Sequence, residues 1–137
     1  MDNNPYTAPA TDTQLPAESA AKLTPNEILF GFKGRISRSS YWAYSIVTML
    51  AFYAIVFVTS LVFGSESLAA SIIALVCYLP VLWITIAIQA KRWHDRDKSA
   101  WWVLIAFVPV VGALWAFIEN GCLKGTDGPN NFGQDPL

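Results

Sequence analysis

The sequence predicts an all-α integral membrane protein: three transmembrane helices, a short interfacial helix before the first, and an irregular C-terminal tail. Three observations carry that reading. Of the 137 residues, 54% are hydrophobic and only 14% are charged, where soluble domains carry about a quarter charged residues. The nineteen charges avoid three segments altogether, 42–63, 68–90 and 101–118. As helices these segments span about 33, 34 and 27 Å, against a hydrocarbon core about 30 Å thick. Buried helices of a soluble domain are the alternative. A chain this small has too little polar surface to wrap three of them. Helices are required because backbone groups in lipid must be satisfied within their own segment.

The charge balance excludes other classes. Nine basic against ten acidic residues give a net charge of −1, without the basic excess of a nucleic-acid binder. Two cysteines exclude a disulfide scaffold and a Cys-only zinc site. Cys77 lies mid-span and Cys122 beyond the third span, so no intramolecular disulfide is expected. No metal, cofactor or catalytic residue is assigned.

Taken in chain order, residues 1–23 form a polar extension rich in Ala, Pro, Thr and Asn. It has no basic start followed by an apolar run, so it is not expected to be a cleaved signal peptide. It reads as flexible. Residues 24–137 make the membrane domain. Thr24-Pro25-Asn26-Glu27 is a helix start, with Thr24 as N-cap, Pro25 at the first position and Glu27 closing a capping box. Apolar Ile28, Leu29, Phe30, Phe32 and Ile36 follow, interleaved with Lys33, Arg35 and Arg38, which suits a short helix at the headgroup level. Pro80 lies within the second span. The third span is the shortest and contains Pro109 and Gly112. A kinked span is the leading expectation, and a broken re-entrant segment covered by protein is its alternative. In the tail, 119–137, the stretch 125–137 holds three Gly, two Pro, two Asn and two Asp, which is turn chemistry.

Orientation follows from the basic residues. Lys22, Lys33, Arg35 and Arg38 precede the first span. Lys91, Arg92, Arg96 and Lys98 follow the second. The loop 64–67 has only Glu66, and the tail only Lys124. Three spans therefore put the N-terminus in the cytoplasm and the C-terminus outside.

Two polar clusters flank the spans. Arg35, Arg38, Tyr41 and Trp42 form the first, read as a topology determinant and interface anchor with guanidinium groups suited to anionic lipid phosphate. Arg92, His94 and Asp95, with Trp101 nearby, form the second. Asp95 is three residues from Arg92 and from Lys98, and shares a membrane face with Arg35 and Arg38. An Arg–Asp pair between the clusters would pin the first helix to the second loop. His94 and Asp95 are adjacent, so on a helix they do not face each other, and no nucleophile is marked beside them. The spans carry Ser, Thr and Gln89 but no acid or base, which argues against proton-coupled transport.

These blocks resemble one bacterial membrane family, catalogued as domain of unknown function 805. The similar residues are Phe32-x-Gly34-Arg35-x-x-Arg38-x-x-Tyr41-Trp42, Arg92-x-His94-Asp95, Ser99 with Trp101-Trp102, and Pro109-x-x-Gly112. The tail supplies Lys124-Gly125-Thr126-x-Gly128-Pro129-Asn130-x-Phe132-Gly133-x-Asp135-Pro136. The resemblance runs from about Leu29 to Leu137 and implies a small inner-membrane protein without an established activity. Asp97 and Ala100 stand where that family usually has Gly. Asp tolerates the left-handed region better than most residues, so position 97 is expected to keep the turn.

The expected function is non-enzymatic, acting by helix association or by partner or lipid binding. The expected partners are the bilayer, anionic headgroups, a second copy or another membrane protein, with no nucleic acid. An oligomeric transporter or channel subunit is one alternative. A membrane enzyme using His94 and Asp95 is the other. The tail is expected to fold over one mouth of the helix bundle, and it can meet Arg35 and Arg92 only if it lies on their side.

Overall fold

In the computed structural model, residues 22–137 are described. The polar extension therefore lies outside the described residues, apart from Lys22 and Leu23. The element order is α1 (Pro25–Phe30), α2 (Arg38–Phe63), α3 (Leu68–Asp95), a 3₁₀ helix (Ala100–Phe107), α4 (Val111–Ala116) and a π-helical turn (Phe117–Cys122). Among the described residues there is no strand, only the isolated bridge Asn130↔Gly133.

Helices α2 and α3 are each long and apolar enough to cross a membrane. At 1.5 Å per residue they measure about 39 and 42 Å. Tyr41 is the one buried residue of α2; large apolar side chains from Ile46 to Phe63 are exposed all along it. A helix apolar and uncovered over this length requires lipid as its solvent. Its hydroxyls turn inward: Thr59 Oγ1 donates to Ile55 O (3.0 Å) and Ser60 Oγ to Val56 O (2.8 Å). In α3, Thr85 Oγ1 donates to Val81 O (2.8 Å). Helix α3 continues through Pro80.

Helix α1 starts as its residues dictate. Thr24 N donates to Glu27 Oε2 (2.8 Å), Thr24 Oγ1 accepts from Glu27 N (3.4 Å), and Pro25 opens the helix. It ends at Gly31. Ile28 and Ile36 pack with Tyr41 of α2 and Ile88 of α3 in a small core. That core sits at the C-terminal end of α3, where Ala90 to Asp95 are all buried.

The third apolar segment does not form the single kinked helix expected of it. It breaks into the 3₁₀ helix, a turn, α4 and the π-helical turn. At about 2.0 Å per residue the eight-residue 3₁₀ helix reaches about 16 Å at most, roughly half the hydrocarbon thickness. The turn back is tight: Val110, at φ 60 and ψ −63, allows Val111 N to donate to Pro109 O (2.7 Å). A β-branched residue with positive φ is uncommon. Gly112 admits the reversal, because a Cβ there would run into the Ile105 carbonyl. The two ends then meet. Lys98, just before the segment, bonds Glu119 near its end (Nζ–Oε1 2.5 Å). The chain thus returns to the end of the molecule that carries Arg35 and Arg92, and Pro109 and Gly112 are the physical reason for the break.

Gly112→Ala should overpack this turn by about 1–3 kcal/mol. The expected outcome is a melting temperature several degrees lower for the purified protein in detergent, with helix content retained.

Candidate polar site

The site is built on the last turn of α3. Position 92 and position 95 lie on one helical face, so Arg92 Nη1 pairs with Asp95 Oδ2. The segment between α1 and α2 brings Arg35 to the other carboxylate oxygen. Its Nε and Nη2 donate to Asp95 Oδ1 at 3.1 and 3.0 Å. All three side chains are essentially buried. The expected pair between clusters thus forms with Arg35.

Two guanidinium groups against one carboxylate leave a surplus positive charge, and backbone carbonyls solvate it. Arg35 Nη1 donates to Gly128 O (2.7 Å) and Gly133 O (3.2 Å), and Nη2 to Thr126 O (2.7 Å). All five of its N–H groups are spent. Arg92 Nε donates to Asn120 O (2.6 Å) and Nη2 to Leu123 O. Most of these carbonyls belong to the tail, which wraps the cluster.

The tail's composition follows from that task. Gly128 and Gly133 adopt φ 71 and 137 to turn their carbonyls toward Arg35, conformations that favour Gly. Gly125 passes so close to the Asp95 carboxylate that a Cβ has no room. Thr126 N and Oγ1 both donate to Asp95 O (2.8 and 3.1 Å). Asn130 Nδ2 donates to His94 O (2.8 Å), and its Oδ1 accepts from Phe132 N (2.9 Å). Phe132 stacks on the His94 ring, with centroids 4.1 Å apart and planes 3° from parallel. His94 Nδ1 contacts Gly34 O at 3.2 Å. Asp135 Oδ2 accepts from Gly128 N (2.9 Å) and Oδ1 from Leu137 N (3.1 Å). These N–H bonds, first from Leu137 and then from Gly128, hold its carboxyl below the usual carboxylate range. Pro129 and Pro136 flank the bridge Asn130↔Gly133.

Asp97 keeps the left-handed turn as expected, at φ 56. Its Oδ1 accepts from Asn131 N (3.2 Å) and Nδ2 (3.0 Å), a bond glycine could not supply. Arg38 touches the site's edge, Nη1 donating to Cys122 O (3.0 Å). Trp42 Nε1 donates to Gly121 O (3.1 Å), and Tyr41 OH accepts from Gln89 Nε2 (3.1 Å). Trp101 is not part of the site. It is 75% exposed, while its neighbour Trp102 packs beside Trp93. Cys77 and Cys122 are both free.

Four participants were not singled out from the sequence. Lys91 is fully buried, its Nζ donating to Ile28 O (2.9 Å), Ala87 O (3.3 Å) and Gly31 O, so it closes the end of α1. Asn120 bridges to Gln89 Oε1 (2.7 Å), and a Cβ at Gly121 would meet Trp42 at 2.8 Å. Glu119 receives Lys98 and Arg96 (Nη2 3.2 Å). Burial alone raises its carboxyl, but hydrogen bonds from Lys98 and Arg96 outweigh that and hold it below the ordinary range. Clustering of polar residues just beyond an apolar stretch is the one signal that pointed to Asn120 and Glu119.

The family described as protein of unknown function (DUF805) matches residues 29–134. The chain belongs to that family. Among its relatives in Escherichia coli strain K12, inner membrane protein YhaH is 34% identical over 110 residues, covering 77% of this chain and 87% of the relative. Inner membrane protein YhaI is 37% identical over 107 residues, with 77% and 86% covered. Uncharacterized protein YiiR is 32% identical over 137 residues, with 82% and 90% covered. No solved structure matches the chain significantly. The family blocks resembled in the sequence are largely the residues that meet around Asp95.

Arg35→Ala should leave a buried carboxylate half-paired and three tail carbonyls without a donor, at about 3–5 kcal/mol. Faster trypsin cleavage at Lys124 and a clearly lower melting temperature are expected. Arg35→Lys, which keeps the charge but loses the planar fork, should fall between the two. The Glu119 carboxyl, lowered on folding, contributes stability that is complete above its unfolded value of about 4.5 and lost as the pH falls through the lower folded value. Melting temperature should therefore drop below about pH 4.5, and less steeply in Glu119→Gln.

Proposed function

We propose that this chain is a non-catalytic inner-membrane protein that acts by association in the plane of the bilayer. Its two spans would enter and leave on the cytoplasmic side, with the re-entrant segment and the tail on that side as well. One observation carries the reading. The charged groups of the cluster are already consumed. Both oxygens of Asp95 and all five N–H groups of Arg35 are bound to internal partners, and His94 is buried under the Phe132 ring. The polar blocks hold the fold together, which leaves the apolar outer faces of α2, α3 and the re-entrant segment as the surface for partners.

The names of two relatives as inner membrane proteins support the compartment. Charge supports the sidedness. With two spans, all nine Lys and Arg residues lie at one end, and the opposite loop carries only Glu66. The expected three-span count put one of the nine outside.

Sidedness is tested at Cys122 in a Cys77→Ser background with a membrane-impermeant thiol reagent. Labelling should require permeabilised cells; labelling of intact cells would overturn the proposed topology. The non-catalytic reading is tested by His94→Asn, scored by competitive growth of a deletion strain. Complementation equal to wild type at equal protein level is expected. Loss of complementation with normal insertion would sink the reading.

A further inference from the structure

Between the first turn of α2 and the tail lies a cavity of about 410 Å³, bordered on one side by Asp95 of the saturated Arg35–Asp95–Arg92 cluster. One wall carries Ser37, Arg38 and Ser39, with Trp42 a turn deeper. The other carries Lys124, Asp127 and Asp135. Trp42 stands at the start of the apolar stretch of α2, where indole rings mark the membrane–water interface. The cavity is therefore at headgroup level.

Its charges are unequally engaged. Lys124 and Asp127 pair with each other. Arg38 is exposed, and among the described residues it makes one hydrogen bond, to the Cys122 carbonyl. Four of its five N–H groups remain for a ligand. Asp135 accepts two backbone N–H groups, which leaves about half of the acceptor capacity of a carboxylate. One wall thus offers an unspent cation with a planar donor fork, and the other an anion with free lone pairs.

We infer that this cavity binds the zwitterionic headgroup of a glycerophospholipid, its phosphate on Arg38 and its primary ammonium at Asp135. A phosphate diester suits the guanidinium fork. An ammonium donates N–H bonds to a carboxylate, which a trimethylammonium cannot. A purely anionic headgroup would face the Asp135 and Asp127 carboxylates at a cost. The inference rests on the reading of the chain as a membrane-embedded binding protein. Its test is done in detergent, so it succeeds or fails independently of sidedness.

The full chain, purified in detergent, is titrated with dioleoyl phosphatidylethanolamine, phosphatidylglycerol or phosphatidylcholine and followed by native mass spectrometry. Phosphatidylethanolamine adducts should appear at concentrations at least fivefold lower than either of the others. Arg38→Gln should weaken them at least fivefold. Asp135→Asn should abolish the preference over phosphatidylglycerol. Ser39→Trp, at an exposed position on the α2 wall, fills the cavity from that side and should remove the adduct with the melting temperature unchanged. Lys33→Gln, a basic surface position outside the cavity, should change nothing. Equal binding of ethanolamine and choline lipids, preference for phosphatidylglycerol, or an adduct indifferent to both Arg38→Gln and Ser39→Trp would overturn the assignment. Glycerophosphoethanolamine should fail to compete; competition as strong as the lipid's would overturn a lipid ligand in favour of the free headgroup.

Discussion

A single carboxylate, Asp95, shared between Arg35 and Arg92, is the constraint on which the polar end of the molecule depends. Two cations cannot be buried beside one anion without further solvation, and water is largely excluded here. Main-chain carbonyls take its place: three tail carbonyls on Arg35, and those of Asn120 and Leu123 on Arg92. Magnitudes separate this cluster from the other charges nearby. Breaking a buried pair costs about 3–5 kcal/mol, whereas an exposed pair such as Lys124–Asp127 contributes about 0–1 kcal/mol. The tail is ordered by the first kind of interaction.

The same device recurs at Lys91. A helix of six residues is far below the length of about 12–15 at which isolated helices become even marginal. Helix α1 persists because its end is tied to a buried ammonium on α3 and because Ile28 packs into the small core. Both short and irregular parts of the chain are thus held by buried cations, α1 by Lys91 and the tail by Arg92 and Arg35. Helices α2 and α3 supply the rigid frame. The last turn of α3 and the segment before α2 supply the anchoring points.

Much of this was legible in the sequence, for physical reasons that also explain the rest. The first two spans and the α1 cap follow from local composition, and local composition suffices for them. The Arg92–Asp95 pair follows from helical spacing, and the partnership with Arg35 from the shared membrane face. For the third apolar segment, hydropathy reports what the segment tolerates and says nothing of the path it takes. Contacts between its ends, such as Lys98 with Glu119, fix that path, and they depend on the reversal at Pro109 and Gly112. Lys91 read as one more topology charge, since nothing local distinguishes a buried ammonium from an exposed one. The stack of His94 on Phe132 joins residues far apart in the chain, and no local pattern announces it. Trp101 and Trp102 look alike in sequence and differ only in which way the 3₁₀ helix turns them.

The wrapping tail also orders events during synthesis. Chains fold from the N-terminus as they emerge, and the carbonyls that satisfy Arg35 lie more than ninety residues after it. When α2 and α3 enter the bilayer, their flanking guanidinium groups still need water. The two helices must therefore insert with a hydrated end, and that end can dry only after Gly133 has left the ribosome. Until then the nascent protein keeps its strongest positive charge exposed to water. Closure of the tail is thus a late maturation step, one that follows the insertion of the helices it caps.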